Sequence, residues 1–395
     1  MFQESVIVSM ARTAVGSFGG SLKSKSAVEL GIASVKEALR RANMTGLEVD
    51  EVVYGCVGQY GLNAFISRLV SLGAGIREDA SAQTVNRMCA SGLQAIVTAS
   101  MLVEAGDAQV TVAGGAESMS NYPYTLQDAR WGMRMGVGET ALLDSLQTAL
   151  CEPTEGERVH IAVTAENIAE KYGLTREDLD TYALKSQQRA RAAIDAGRFK
   201  EEIVPVEIRG RKESFVFDVD EHPRDTSIEK LSKLRPLFKA DGVVTAGNAS
   251  GVNDAGAALV IMSRKKADEM GLTPLARVVD FATAGVDPRY MGMGPVASTR
   301  RLLQKTGMKI GDFGLIELNE AFAAQALACI RELDIDPALC NVNGSGISLG
   351  HPVGATGAII TIKLIAEMKR RGVRYGLATL CIGGGQGMSA VIEAL

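Results

Sequence analysis

Aromatic side chains are scarce in this chain, at 5% of 395 residues with a single tryptophan. Histidine is scarcer still: His160, His222 and His351 lie far apart, and none stands at a zinc-type spacing from a cysteine, so no metal site is expected. Six cysteines, at positions 56, 89, 151, 329, 340 and 381, form neither a CxxC pair nor a regular framework. That usage reads as reduced thiols in a cytosol-like compartment. Charge is nearly balanced, 42 Lys and Arg against 46 Asp and Glu, which argues against nucleic acid or a membrane surface as partner. No apolar stretch reaches about 18 residues without polar interruption, so no membrane span is expected. The opening residues, MFQESVIVSMARTAVGSFGG, have neither a basic n-region before an apolar run nor an Arg/Ser-rich presequence. The closing IEAL is no peroxisomal address, and a cytoplasmic location is expected.

Glycine, by contrast, is abundant at 43 residues, which points to tight turns and helices packed through small side chains. A chain this long is expected to form two or three domains of roughly 150 residues each. Strand-like and helical patterns alternate: SVIVSMA, then the helical VELGIASVKEALRRANM at 28–44, then VDEVVYGCV, and later AQVTVAGG. This alternation predicts an α/β architecture with a largely parallel, helix-covered sheet. The same grammar occurs twice. MCASGLQAIVTASMLVEAGDAQVTVAGG runs loop, small-residue helix, strand, double glycine. NGSGISLGHPVGATGAIITIKLIAEMKRRG followed by YGLATLCIGGG repeats that order, as a diverged internal duplication would. Two such halves facing each other would build a site at their interface from loops at strand ends.

Between the halves, residues from about 121 to 248 carry more charge and more loop signals. Within them LTREDLDTYALKSQQRARAAIDAG predicts a helix with Thr175 as N-cap and Asp178 completing a capping box. The stretch reads as an inserted loop domain. Its charges serve either as a solvated surface or as a cradle for a large anionic ligand. The expected division is 1–268, including the insertion, and 269–395, with PLARVVDFATAG opening the second half.

Four stretches carry candidate chemistry. In NRMCASGLQAI, Cys89 stands at the mouth of an apolar helix. Either it packs as a small hydrophobe, or the positive helix end favours its nucleophilic thiolate. His351 in GHPVGATG is the only histidine wrapped in glycines, which suits positioned acid–base work better than a mere satisfied polar group. Cys381 in LCIGGGQG ends the last strand, and glycines after a strand free backbone N–H groups to face a ligand, as an oxyanion site requires. No helix follows that turn, which rules against a dinucleotide fingerprint. Asn319 in ELNEAFAAQ offers an amide that orients a water or donates to a carbonyl oxygen.

These stretches, with GGAESMSNYPY, VTAENIAEKYGLTREDLDTYALKSQQRA, LRPLFKADGVVTAGNASGVNDAGAA and MGMGPVASTRRLL, resemble the thiolase family over essentially the full length. The resemblance implies a thiolase-like α/β fold of two similar halves, each a mixed five-stranded sheet with helices between, plus the inserted loop domain. It implies reversible Claisen chemistry by a ping-pong route: two acetyl-CoA give acetoacetyl-CoA and CoA, or a short 3-ketoacyl-CoA is cleaved by CoA. Cys89 matches the nucleophile that carries the acyl group, His351 its base, and Cys381 the cysteine that moves the α-carbon proton. Asn319, through a water, and His351 resemble one oxyanion hole. The backbone N–H groups of Cys89 and Gly383 resemble the second. Coenzyme A thioesters are then substrates, and no cofactor is implied.

For substrate binding, the resemblance implies Ser250 at the pantetheine amide, Ala246 and Phe238 along the tunnel, and Arg224 near the adenine end. His160 resembles the histidine of a His-Met-Gly segment, which here reads His-Ile-Ala. Met291 and Phe322 resemble pocket residues, and core packing explains them equally well. Ala90 stands where glycine is common, and NGSGIS replaces an Asn-Gly-Gly-Ala-Ile-Ala run. With ARWGMRMG these departures are most similar to bacterial β-ketothiolases that take somewhat longer 3-ketoacyl chains. The alternative is a broader-range 3-ketoacyl-CoA thiolase of fatty-acid β-oxidation, with pocket length decided around residues 122–145. Other condensing enzymes of the superfamily lack the second cysteine, and a non-catalytic acyl-CoA carrier would have lost one of Cys89, Asn319, His351 and Cys381. A homo-oligomer, tetramer or dimer, is the family expectation.

Overall fold

The computed structural model describes residues 3–132, 141–154, 157–210 and 214–395. The first half begins with strand β1 (Ser5–Thr13), helix α1 (Ala27–Arg41), β2 (Glu51–Gly55), α2 (Ile66–Ala74) and β3 (Ser81–Val85). It continues through α3 (Ser91–Ala105) and β4 (Val110–Ser118). Helices α4 (Ile161–Tyr172) and α5 (Arg176–Asp195) belong to the excursion that follows, and β5 (Asn253–Ser263) brings the chain back to the sheet. The second half is β6 (Ala276–Gly285), α6 (Gly294–Thr306), β7 (Leu315–Leu318), α7 (Ala323–Glu332), α8 (Val353–Arg371), β8 (Tyr375–Ile382) and β9 (Gln386–Ala394).

The strands run in the order β7-β8-β9-β6-β1-β5-β4-β2-β3. In the first half β2 pairs in parallel with β3 and β4, and β5 pairs antiparallel with β4 and β1. The second half repeats this: β7 parallel to β8, then β9 antiparallel to β8 and β6. Even the irregularities correspond. The β1/β5 register slips between Ile7 and Ser9, and the β6/β9 register slips between Val278 and Asp280. The halves join where Ile7 faces Ala276. The internal duplication legible in the sequence is thus a duplication of topology.

One detail departs from the expected pair of five-stranded sheets. The first half has five strands, whereas the second has four and only an isolated bridge, Ile316 with Cys340, where the counterpart of β3 would lie. The cause is Asn341. Its backbone sits at φ 50°, turning the chain away. Its side-chain amide meanwhile accepts from Leu318 N (2.9 Å) and donates to Leu318 O (2.8 Å), taking the ladder positions a strand would fill.

Strand alternation explains the layers. Val6, Val52, Val112 and Val260 face a core shared with α1 and α2, while their neighbours Ile7, Val53, Ala113 and Leu259 face a central core. A strand buried on both faces reads as a continuous apolar run, as these do. In the second half Ala378 and Leu380 face the central core, and Leu377 and Cys381 face the outer one. Helices α3 and α8 fill the centre side by side, and α8 touches strands of both halves. They approach backbone to backbone: a Cβ on Gly92 would lie 2.7 Å from Ala358 N. The stretch Met88–Ala105 is long and apolar enough to cross a bilayer, contrary to the expectation above, but it is mostly buried in this central layer.

The chain leaves the main strands after Ser118 and returns at Asn253, and in between Ile203–Val204 pairs in parallel with Arg12–Thr13 of β1. The expected capping box of α5 forms, with Asp178 N donating to Thr175 Oγ1 (3.1 Å) and Thr175 N donating to Asp178 Oδ2 (2.8 Å). The excursion is tied to β1 by buried Arg12, which donates to both oxygens of Asp220 (2.7 and 3.0 Å) and to Glu202 (3.0 Å). Residues 133–140, part of the stretch expected to set pocket length, lie outside the described residues.

Candidate active site

The duplication delivers the two central side chains. Cys89 precedes α3 and His351 precedes α8, so equivalent positions in the halves present them together at one end of the central layer. Each stands in a turn built for the purpose. Before Cys89, Met88 takes a left-handed backbone (φ 45°), which costs a non-glycine residue of order 1–3 kcal/mol. Asn86 Oδ1 accepts from Met88 N (2.9 Å) and Ser91 Oγ donates to Met88 O (2.7 Å), offsetting that strain. At the other turn, Asn253 Oδ1 accepts from His351 N (2.9 Å).

Cys89 is buried, and burial pushes its thiol up to about 11 despite N–H groups of Gly383 and of Cys89 itself that favour the thiolate. Nearby Glu152 and Glu117 add to the rise. The helix N-terminus therefore does not by itself create a thiolate in the empty site: desolvation outweighs it. The proton has to go to a base at the moment of attack.

His351 lines the same cavity as Cys89, and its ring is oriented on both sides. Nδ1 lies 2.6 Å from Thr356 Oγ1, and the Thr356 hydroxyl donates its one hydrogen to Pro352 O (2.9 Å). Nδ1 therefore carries the ring proton, and Nε2 presents a lone pair. Nε2 lies 3.4 Å from Asn319 Nδ2. Burial lowers the imidazole to about 4, keeping it neutral and able to accept.

Asn319 and Cys381 reach the site from adjacent parallel strands. Asn319 follows β7, its N–H bonded to Thr379 O (3.0 Å) on β8, and Cys381 stands two residues farther along β8. Both are fully buried. Burial, and then the neighbouring Cys89, hold the Cys381 thiol well above its usual range. Asn319 Oδ1 is buried with no hydrogen-bond partner among the described residues, the condition an ordered water satisfies. Catalytic candidates from four separate stretches thus converge.

A cavity of about 330 Å³ has Cys89, His351 and Gly383 at its floor, whereas Asn319 and Cys381 are not among its lining residues. Every sequence-predicted binding residue lines it as well: His160, Arg224, Phe238, Ala246, Ser250, Met291 and Phe322. Met291 and Phe322 are buried near the floor, whereas Arg224, Phe238 and Ala246 are exposed at the mouth. His160 caps α4, accepting from Ala162 N through Nδ1 (3.2 Å), and its ring stacks on Phe238 with centroids 4.3 Å apart. Ser250 is set by main-chain pairing: its N–H donates to Ala321 O (2.9 Å), beside a bridge between Ala249 and Phe322.

Three functional side chains escaped the sequence reading. Thr356 fixes the His351 ring, and only its position five residues on, one helical turn into α8, could have drawn attention to it. Glu117, within GGAESMSNYPY, is a buried carboxylate that accepts from Val57 N (2.9 Å), Gly58 N (3.0 Å), Gly354 N (2.9 Å) and Tyr122 OH (3.0 Å). It ties the turn after β2 to the first turn of α8. Glu152 reaches the glycine turn after Cys381, where Oε2 accepts from Gly384 N (2.7 Å). No local pattern marks either carboxylate, because their partners are distant backbone groups.

Comparison with known proteins agrees with this geometry. Residues 5–265 match the thiolase N-terminal domain and residues 272–394 the thiolase C-terminal domain. The chain is 51% identical to the beta-ketothiolase BktB of Cupriavidus necator and 48% identical to an acetyl-CoA acetyltransferase of Syntrophomonas wolfei, over 100% of both chains in each case. The crystal structure of human mitochondrial 3-ketoacyl-CoA thiolase in complex with CoA superposes with a TM-score of 0.95 at 42% identity, covering 100% of this chain and 98% of that one. The chain belongs to the thiolase family.

Proposed function

We propose that the protein is an acetyl-CoA C-acyltransferase that condenses two acetyl-CoA to acetoacetyl-CoA and CoA, and runs the reverse thiolysis, through an acyl-enzyme on Cys89. The observation that carries this reading is the meeting, at one cavity floor, of Cys89 Sγ with the Gly383 N–H and the neutral His351 ring, with a second thiol, Cys381, buried close to Cys89.

In the first half-reaction Cys89 Sγ attacks the thioester carbonyl as its proton passes to His351 Nε2. The oxyanion forms between the N–H groups of Cys89 and Gly383, and the departing CoA sulfur takes the proton back from His351. In the second, Cys381 gives its thiol proton to His351 Nε2 and, as thiolate, removes the α-proton of acetyl-CoA. The Nε2–H so formed and a water held by Asn319 stabilise the enolate oxygen. The enolate carbon attacks the acyl group on Cys89 and expels the Cys89 thiolate, which takes the proton back from His351. Thiol, imidazole and backbone donors supply every step, so the reaction calls for no resident cofactor beyond the CoA substrates.

The cavity suits a CoA thioester: an apolar, buried floor for the acyl group, Ser250 midway, and the His160–Phe238 stack with cationic Arg224 toward the exposed mouth, the latter for phosphates. Three further readings belong to this proposal: acceptance of short 3-ketoacyl chains beyond acetoacetyl, as in fatty-acid metabolism, a cytoplasmic location, and a homo-oligomer, dimer or tetramer. Strand β3 ends the sheet, and Phe65 and Leu62 stand exposed in the connection from β2 to α2, an edge suited to a second copy.

The test is CoA-dependent thiolysis of a 3-ketoacyl-CoA series from four carbons upward, with mass spectrometry of Cys89. Cleavage of acetoacetyl-CoA with an acetyl adduct on Cys89 is expected. Five- and six-carbon substrates matching or beating it would favour the broader-range reading, and no turnover of any member would refute the proposal.

A further inference from the structure

The oxyanion donor at Gly383 belongs to three consecutive glycines, Gly383–Gly384–Gly385. Gly384 and Gly385 both adopt left-handed backbones (φ 86° and 76°), a turn with little intrinsic stiffness. Preorganisation, however, is what makes an oxyanion hole effective: donors that must be ordered during the reaction lose much of their value. Something outside the turn has to hold it.

On one side Val286 N donates to Gly385 O (2.7 Å). On the other stands Glu152. Its side chain is buried, Oε2 accepts from Gly384 N at 2.7 Å, and Oε1 has no hydrogen-bond partner among the described residues. A Cβ built on Gly383 would lie 3.8 Å from that free oxygen, so the carboxylate lies along the turn beside the donor itself. Glu152 comes from the excursion, in the short strand Cys151–Thr154 that pairs with Glu157–His160, with Cys151 opposite His160. Gln147, Ala149 and Leu150, just before it, line the substrate cavity.

We propose that Glu152 is a positioning residue for acyl transfer: its carboxylate, bonded to Gly384 N–H, fixes the glycine turn so that the Gly383 N–H points at Cys89 Sγ. The wall that meets the acyl group is thereby continuous in sequence with the anchor of the oxyanion site. Glu152 acts as an acceptor, and its charge is a burden. It works with burial to hold the Cys89 thiol up, and burial raises its own carboxyl as well. An acceptor without charge should therefore serve the turn, which separates this role from general structural support. The inference rests on the reading of Cys89 as the acylated nucleophile.

The experiment compares wild type, Glu152→Gln and Glu152→Ala in steady-state thiolysis of acetoacetyl-CoA, and in the pH profile of Cys89 alkylation by iodoacetamide without substrate. Glu152→Ala is expected to lower kcat by about tenfold or more, with KM for CoA little changed. Glu152→Gln, whose amide oxygen can accept from Gly384 N–H, is expected to recover most of that loss. In Glu152→Gln, which keeps the acceptor and removes the charge, the alkylation midpoint should move to lower pH. A wild-type kcat in Glu152→Ala, a Gln variant as slow as the Ala variant, or an unmoved midpoint in Glu152→Gln would overturn the proposal. If Glu152→Ala does not fold, Glu152→Gln decides alone: near-normal kcat with a lowered midpoint supports the proposal, and any other result refutes it. Wild-type protein that neither turns over nor forms a Cys89 adduct would instead refute the underlying function.

Discussion

His351 and Thr356 are joined by a 2.6 Å contact between Nδ1 and Oγ1, and the threonine's own hydrogen is committed to Pro352 O. One hydroxyl in the first turn of α8 thus decides which ring nitrogen faces the cavity as a base.

Thr356→Val keeps the shape but removes the acceptor for Nδ1–H. The expected result is a fall in kcat for thiolysis of about tenfold or more, with KM for CoA nearly unchanged. Wild-type kcat in this variant would show that the tautomer is fixed by something else.

Cys89→Ala should abolish the acyl-enzyme and lower turnover by roughly 10⁴-fold or more, because no other group can carry the acyl chain. Mass spectrometry after incubation with acetyl-CoA, together with steady-state rates, checks this. An acyl adduct elsewhere that supports turnover would contradict it.

Cys381→Ala should divide the half-reactions. Acylation of Cys89 by acetyl-CoA persists, since its base and oxyanion donors are intact, whereas acetoacetyl-CoA synthesis disappears. A variant that cannot be acylated would sink that division of labour.

The pH dependence follows from burial. With the Cys89 thiol held up to about 11, alkylation of the substrate-free protein should rise about tenfold per pH unit through the neutral range and level off only near pH 11. His351, lowered to about 4, stays neutral down to mildly acidic pH. The acid limb of activity that reports its protonation should lie near pH 4 instead of the ordinary imidazole range near 6.5. An alkylation plateau at pH 8 would mean that a thiolate pair already exists in the empty site.

Asp220→Ala tests what docks the excursion on the sheet. It leaves the Arg12 guanidinium buried with only Glu202 as ion partner, and should cost about 3 kcal/mol in denaturant unfolding. A loss below about 0.5 kcal/mol, the scale of an ordinary surface change, would show that the pair breaks even.

By itself the sequence determined the α/β alternation, the duplicated loop-helix-strand-glycine unit, the capping box of α5 and the candidates Cys89, Asn319, His351 and Cys381. Each rests on local chemistry: side-chain period, a cap three residues from its partner, or glycines beside a reactive group. Tertiary structure alone decided the rest. The missing fifth strand of the second half depends on Asn341 reaching Leu318, 23 residues away. Glu117 and Glu152 gain their roles from backbone N–H groups 237 and 232 residues distant, Gly354 and Gly384, which no local pattern records. The protonation states also belong to the fold. A helix end suggests a ready thiolate at Cys89, but the same close packing that buries both halves' loops removes the water a charge needs, and the thiol keeps its proton.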